Sequence, residues 1–229
     1  MASGVQVRGR SAWAASHTRS RLNRERILRG ALRIVDEHGL QALSMRKLAA
    51  ELGVEAMSLY NHIEGKDDIL DGITRLVFSE IGSLPADSAD WKQCTRDVMH
   101  AARVVLFRHR NVVPIIVSSR SPTPAFLDLA EEIVGTFRRA GFDDDLAHHA
   151  WHSLVAQVVG YVADRQMPAR RSAVEDSEEV ASLAAVSVQG FPNLAAIAPY
   201  IASCGPVDEF DFGVDVIVAG LEAKLDART

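Results

Sequence analysis

Arg46, Lys47, Ser58, Tyr60, Asn61, His62 and Lys66 fall within one short stretch of this chain, SMRKLAAELGVEAMSLYNHIEGK, from Ser44 to Lys66. Together they offer side-chain donors that suit base edges, next to hydroxyls and cations that suit phosphates. Arg46 is the candidate for a bidentate guanine contact, and Asn61 for a base edge or a phosphate. Met57 suits a thymine methyl. Ser44, Lys47, Ser58, Tyr60, His62 and Lys66 would hold phosphates, and Met45 and Ala56 complete the outward set. The other residues with chemical potential are weaker. His148 and His152 stand one helical turn apart with His149 beside them, a spacing that could hold zinc, but no glutamate lies between them in a protease arrangement. No glycine-rich phosphate loop or nucleophile elbow occurs. Cys94 and Cys204 have neither CxxC nor metal spacing, as expected of two reduced thiols. These patterns predict a protein that is not an enzyme and has no metal or cofactor.

The elements that must position this surface are two short crossing helices. Ser44 caps the first through its hydroxyl. Leu48, Ala49 and Leu52 make one apolar face, Gly53 supplies the turn, and Val54, Leu59 and Ile63 continue the inward set. Ala49 is small enough to let the helices approach. Before them, Asn23 caps a helix with the stripe Ile27, Leu28, Ala31, Ile34 and Val35, ended by Gly39, and Leu22 with Ile27 forms a hydrophobic staple. After them, Gly65 breaks the second helix and Lys66 opens a fourth, with Asp67 and Asp68 at its favourable dipole end. That fourth helix has two apolar sides, built from Ile69, Leu70, Ile73, Leu76, Val77 and Ile81. It is the expected mechanical link to the rest of the chain.

The periodicity predicts an all-α protein throughout: an arm over 1–22, a three-helix DNA-binding unit over 23–66, a connecting helix over 67–82, and a helical ligand-binding and dimerisation domain over 83–229. Net charge is −5, which alone argues against a nucleic-acid binder. Its distribution reverses that argument. Residues 1–50 hold ten Lys/Arg against three Asp/Glu, and the remainder holds fifteen against twenty-seven. A basic end on an acidic body orients the molecule towards a polyanion. Residues 1–22 carry four arginines without periodicity and read as a disordered arm. No apolar run follows them in the manner of a signal peptide, so a cytoplasmic location is expected.

In the second half, SLPADSAD reads as a linker, and helices are predicted over 91–110, 126–140, 144–166, 193–203 and 207–225. The long helix and the last one carry more apolar surface than one buried stripe needs. They are expected to pair across a two-fold axis through Val155, Val159, Phe210, Val214, Ile217 and Leu221. Gly213 and Gly220 would let another helix come close. Between the middle helices, Val98, Ala102, Ile116, Arg120, Phe126, Trp151, Gln157 and Tyr161 would line a cavity for a small amphiphilic molecule.

From Leu28 to Ile81 the chain resembles the DNA-binding domain of the tetracycline-repressor (TetR) family of bacterial regulators. The residues that carry the resemblance are Ala31, the Glu37–His38–Gly39 turn, Leu43 to Ala49, Leu52–Gly53–Val54, Ser58 to His62 and Gly65–Lys66. The likeness continues more weakly into the second half, where Phe210 to Leu225 resembles the family's final dimerisation helix. It implies a homodimeric regulator that places two recognition helices in successive major grooves, about 34–36 Å apart, on a palindromic operator, and leaves it when an effector binds. The departures matter as well. Aligned on His109–Arg110, Ile116 stands where the tetracycline sensor has a metal-ligating histidine. Val98 and Ala102 stand at its drug-contacting positions, and Ala163, with Asp164 as its neighbour, stands where the sensor has an acidic residue behind its metal ligands. Isoleucine offers no oxygen or nitrogen to a hard cation. A tetracycline–Mg²⁺ response is therefore not expected, and the effector should be more apolar. Two other readings remain open at this level: a small helical metal protein or enzyme using His148, His149 and His152, and a dimeric ligand carrier that does not bind DNA.

Overall fold

A computed structural model describes residues 21–82, 90–118, 122–165, 190–203 and 206–228. The described elements are all helical. The arm, most of the 83–90 linker and the charged stretch after 166 lie outside the described residues. So does Arg120.

Helix α1 runs Arg24–His38, α2 Met45–Leu52, α3 Ala56–Leu59 and α4 Lys66–Ile81. Each boundary has a local cause. The Asn23 side chain accepts from the Arg26 N–H at 2.8 Å, and the Ser44 hydroxyl accepts from the Lys47 N–H at 3.2 Å. Gly53 takes φ 67° at the end of α2, the left-handed conformation in which a Cβ would be strained. The inward set is sealed: Leu48 and Leu59 are fully buried, and Ala49, Leu52 and Ile63 nearly so. Val54 is only half-buried. The second helix of the motif is shorter than its pattern suggests. It ends as α-helix at Leu59, and a turn carries Tyr60 and Asn61.

The second unit contains α5 (Trp91–Arg108), α6 (Val113–Ser118), α7 (Pro124–Arg139), α8 (Asp144–Asp164), α9 (Pro192–Ser203) and α10 (Pro206–Asp226). Asp90, Thr123 and Asp143 cap α5, α7 and α8 with side-chain oxygens. Trp91, Phe137 and Phe142 cluster with ring centroids 5.0–6.1 Å apart and fix α5 on α7. α10 packs on α8 and α5, and Arg96–Asp215, Lys92–Glu222 and Arg165–Glu209 ion pairs tie its polar edge down.

α4 is the hub. It packs on α1 on one side and on α5, α6 and α7 on the other. The α1 contact is close because Gly72 has no side chain: a Cβ there would lie 2.3 Å from a Leu28 methyl. α4 is not the sole link, however. The Asn111 amide donates to the Val35 and Asp36 carbonyls at 3.0 and 2.9 Å, so the end of α1 also rests directly on the second unit.

Candidate functional site

The outward face of α2, α3 and the following turn presents the predicted side chains together. Ser44, Arg46, Lys47, Tyr60, Asn61, His62 and Lys66 are exposed, and Met57 is 73% exposed. Ser58 is half-buried. Met45 and Ala56 are partly buried against the core, so their role is packing as much as contact.

This face is held in place by arginines that the charge count had assigned to the basic end. Arg24 makes a two-oxygen pair with Asp68, its Nη1 lying 2.7 Å from Oδ2, and also donates to the His62 carbonyl at 3.3 Å. The Glu64 N–H donates to the same Asp68 oxygen at 2.9 Å. Arg26 donates to the Leu52 carbonyl at 3.0 Å, and Arg33 pairs with Glu51 at 2.8 Å. Three N-terminal cations therefore hold the motif together, and Arg46, Lys47 and Lys66 remain as exposed cations on its outward face. The Arg24 guanidinium, helped by the Glu64 N–H, pulls the Asp68 carboxyl down to about 2. Its contribution to stability is complete above the ordinary 3.8 and is lost as pH falls towards 2. Asp68→Asn should cost about 1 kcal/mol at neutral pH, because the half-exposed arginine is partly screened. Urea unfolding should show that gap closing in acid.

The cavity lies behind α4. Phe78, Val98, Ala102, Ile116, Phe126 and Trp151 line a wholly apolar slot of about 50 Å³. It adjoins a wider opening of about 500 Å³ where Thr74, Thr123 and His152 add the polar groups. The Phe126 ring stands 5.3 Å from Phe78 and 5.4 Å from Trp151, so one aromatic chain joins α4, α7 and α8 around the slot. Five of the eight predicted ligand residues meet here. Gln157 and Tyr161 do not, because they face α10. Gln157 fills the space beneath Gly213, and the Tyr161 ring sits 4.9 Å from Phe210. Phe78 and Thr74 were missed because neither stands in the apolar stripes read for α4, and nothing in their spacing points to a cavity behind it.

The predicted dimer residues divide in the same way. Phe210, Val214 and Leu221 are buried within the protomer, where they hold α10 on its own α8 and α5. Val155, Val159 and Ile217 are half-buried, and the first two border the cavity. What α10 shows outward is Phe212, 72% exposed, Val216, 54% exposed, and Gly220. On α8, Ser153, Ala156 and Gly160 are exposed. Gly213 accommodates its own protomer's α8, whereas a Cβ at Gly220 would meet nothing within 4 Å. Among the described residues, no group of three or more His, Cys, Asp or Glu is placed to hold a metal. His148 stacks beside His152 at 6.3 Å on the exposed face of α8. No described helix is long and apolar enough to cross a membrane.

Comparison with known proteins agrees with this two-part layout. The model for bacterial regulatory proteins of the tetR family matches residues 27–73, and that for the tetracyclin repressor-like C-terminal domain matches residues 84–225. The chain belongs to the TetR family. It is 30% identical over 218 residues to the HTH-type transcriptional repressor DrrR1 of Streptomyces coeruleorubidus, covering 90% of this chain and 80% of that one. It is 27% identical over 205 residues to the class C tetracycline repressor of Escherichia coli, covering 89% and 92%. Among solved structures, ActR of Streptomyces coelicolor in complex with actinorhodin superimposes with a TM-score of 0.76 at 28% identity, covering 90% of this chain and 97% of that one. In this TetR-family chain the α2–α3 face thus lies within the match to the family's N-terminal model, and the helical unit behind it within the match to the C-terminal domain.

Proposed function

We propose that this protein is a ligand-responsive transcriptional repressor that binds a palindromic operator as a cytoplasmic homodimer and leaves it when a small, largely apolar effector binds. The observation that carries the reading is the exposed face of α2 and α3, with Arg46 beside Lys47 and the Ser58–His62 segment. Arg46 reads guanine, Asn61 and Met57 contribute base contacts, and Ser44, Lys47, Tyr60, His62 and Lys66 hold phosphates. The first turn of α4 adds backbone N–H groups.

The effector enters the wider opening, whose volume of about 500 Å³ suits a small molecule. The slot beyond it, at about 50 Å³, admits the effector's apolar end only if the Phe78–Phe126–Trp151 rings part. Phe78 belongs to α4, so parting the rings moves the helix on which the DNA-binding unit rests. Release follows because the effector binds the displaced state more tightly than the DNA-bound one. That the similar protein ActR was solved in complex with actinorhodin supports a small-molecule effector for this chain. The second copy is proposed to seat on Phe212, Val216 and Gly220 of α10 and on Ala156 and Gly160 of α8. Small residues there let helices approach closely across a two-fold axis.

Selection of bound sequences from random duplex DNA, repeated with candidate effectors, tests this reading. It should return a palindrome, bound with a steep loss of affinity as salt rises. Binding without salt dependence or symmetry would refute the reading. Arg46→Ala should lose about 1–3 kcal/mol on the selected site and relax one base position. Equal loss on selected and random DNA in a gel shift would show that Arg46 touches only phosphate.

A further inference from the structure

The joint between the DNA-binding unit and the second unit encloses a histidine that the proposed function leaves unused. His109 caps α5 and is buried. Its Nδ1 lies 2.8 Å from Asp36 Oδ2, on the last turn of α1, and its Nε2 lies 3.2 Å from Glu80 Oε2, at the end of α4. Arg108 of α5 reaches the same Glu80 oxygen at 3.2 Å. Arg110, in the next turn, lays its guanidinium over the Phe107 ring. The other Asp36 oxygen, Oδ1, is buried without a hydrogen-bond partner among the described residues. The carboxylate therefore leans heavily on the histidine.

Both ring nitrogens face carboxylate oxygens, which at neutral pH only accept. A neutral imidazole carries one N–H, so one of the two contacts would oppose lone pair to lone pair. Only the imidazolium donates at both ends. The local charges agree: Asp36 and Glu80 are balanced by Arg108 and His109 only when the ring is protonated. We propose that protonated His109 is the latch that fastens α1, through Asp36, and α4, through Glu80, to the end of α5. Its deprotonation frees the DNA-binding unit from the orientation that grips the operator. Hydrogen bonding to Asp36, with a smaller contribution from Glu80, raises the imidazole above its ordinary 6.5 against the lowering effect of burial. With a raised folded value, the latch is complete below about 6.5 and is lost as pH rises through the raised value. The consequence for operator binding rests on the DNA-binding reading, whereas the mechanical role does not.

The test uses the full-length protein. In a histidine ¹³C NMR titration, the ring assigned to His109 should remain imidazolium well above the ordinary 6.5. A ring that turns neutral at or below that ordinary value overturns the proposal. In hydrogen exchange, His109→Gln should speed the amides of Val35, Asp36 and 110–112 roughly tenfold. Adding Glu80→Gln should restore most of the protection, since the amide introduced in place of the ring then donates to Asp36 and accepts from the amide introduced on α4. Loss without rescue means that the ring only fills space, which also overturns the latch. Should His109→Gln fail to fold, Glu80→Gln decides alone, by lowering the His109 titration midpoint or leaving it unmoved. On a selected duplex, wild-type affinity should drop roughly fivefold or more as the ring deprotonates, and the double variant should lose that dependence. Unchanged affinity across the titration overturns the regulatory half. A wild-type protein that binds no duplex refutes the DNA reading instead, while the NMR and exchange results still decide the latch.

Discussion

Val216→Asp should yield a well-folded monomer that binds the operator roughly 10²–10⁴-fold more weakly than the wild-type protein. Val216 is 54% exposed on α10, and its buried neighbours Val214 and Val218 do the packing within the protomer. A surface change of this kind moves monomer stability by about 0.5 kcal/mol or less. In the proposed dimer the same position is desolvated, and the two-fold axis presents the carboxylate twice. The penalty is several kcal/mol per buried ion, and no cation in the proposed contact set answers it. With the two DNA-binding units separated, the second half-site loses the high effective concentration that tethering gives. Analytical ultracentrifugation and an operator titration read the two effects separately. Val104→Asp serves as a control, because Val104 is a comparably exposed valine, 48% exposed on α5, outside the proposed contact set. A dimer that persists in Val216→Asp would place the partner on another surface.

The second large effect is expected at Leu48. Its side chain is fully buried where α2 crosses α1 and α3. Truncation to alanine removes three carbons from a buried cluster in which Ile27, Leu28, Ala31, Val35, Ala49, Leu52, Leu59 and Ile63 also take part. Such losses typically cost about 2–5 kcal/mol, and a unit this small has little stability to spare. Leu48→Ala should abolish operator binding at growth temperature. The helical domain behind it should keep its cavity, its dimer and most of its helical circular dichroism. Retained operator affinity would mean that α1 and α4 alone position the recognition surface.

Local features of this architecture were legible in the sequence, and long-range ones were not. The caps at Asn23 and Ser44 and the turn at Gly53 each follow from one residue's chemistry and fell where that chemistry puts them. The exposed face of α2 and α3 was legible because its inward set is a clean stripe, which leaves the outward set by subtraction. The same subtraction fails on α8 and α10. Both are apolar around most of their girth, so spacing alone does not say which side meets the protomer. Phe210 and Val214 read as an outward pair and turned out to be core, while Phe212 and Val216 are outside. Gln157 and Tyr161 were assigned to the cavity because polar groups on a buried helix suggest a ligand. They instead serve the α8–α10 contact. The contact between His109 and Asp36 spans 73 residues, and no local pattern announces it.

The close seat of Leu28 over Gly72 limits how these parts can be exchanged. A biosensor that joins one regulator's reading head to another's sensing body could be cut just after the recognition helix. Here such a cut would set a foreign α1 against the host's α4, at a contact where an added methyl would force the Leu28 side chain to move. The natural seam lies beyond Ile81, so that α1 and α4 travel together. The foreign piece would also need an acidic partner at position 36 for the host's His109.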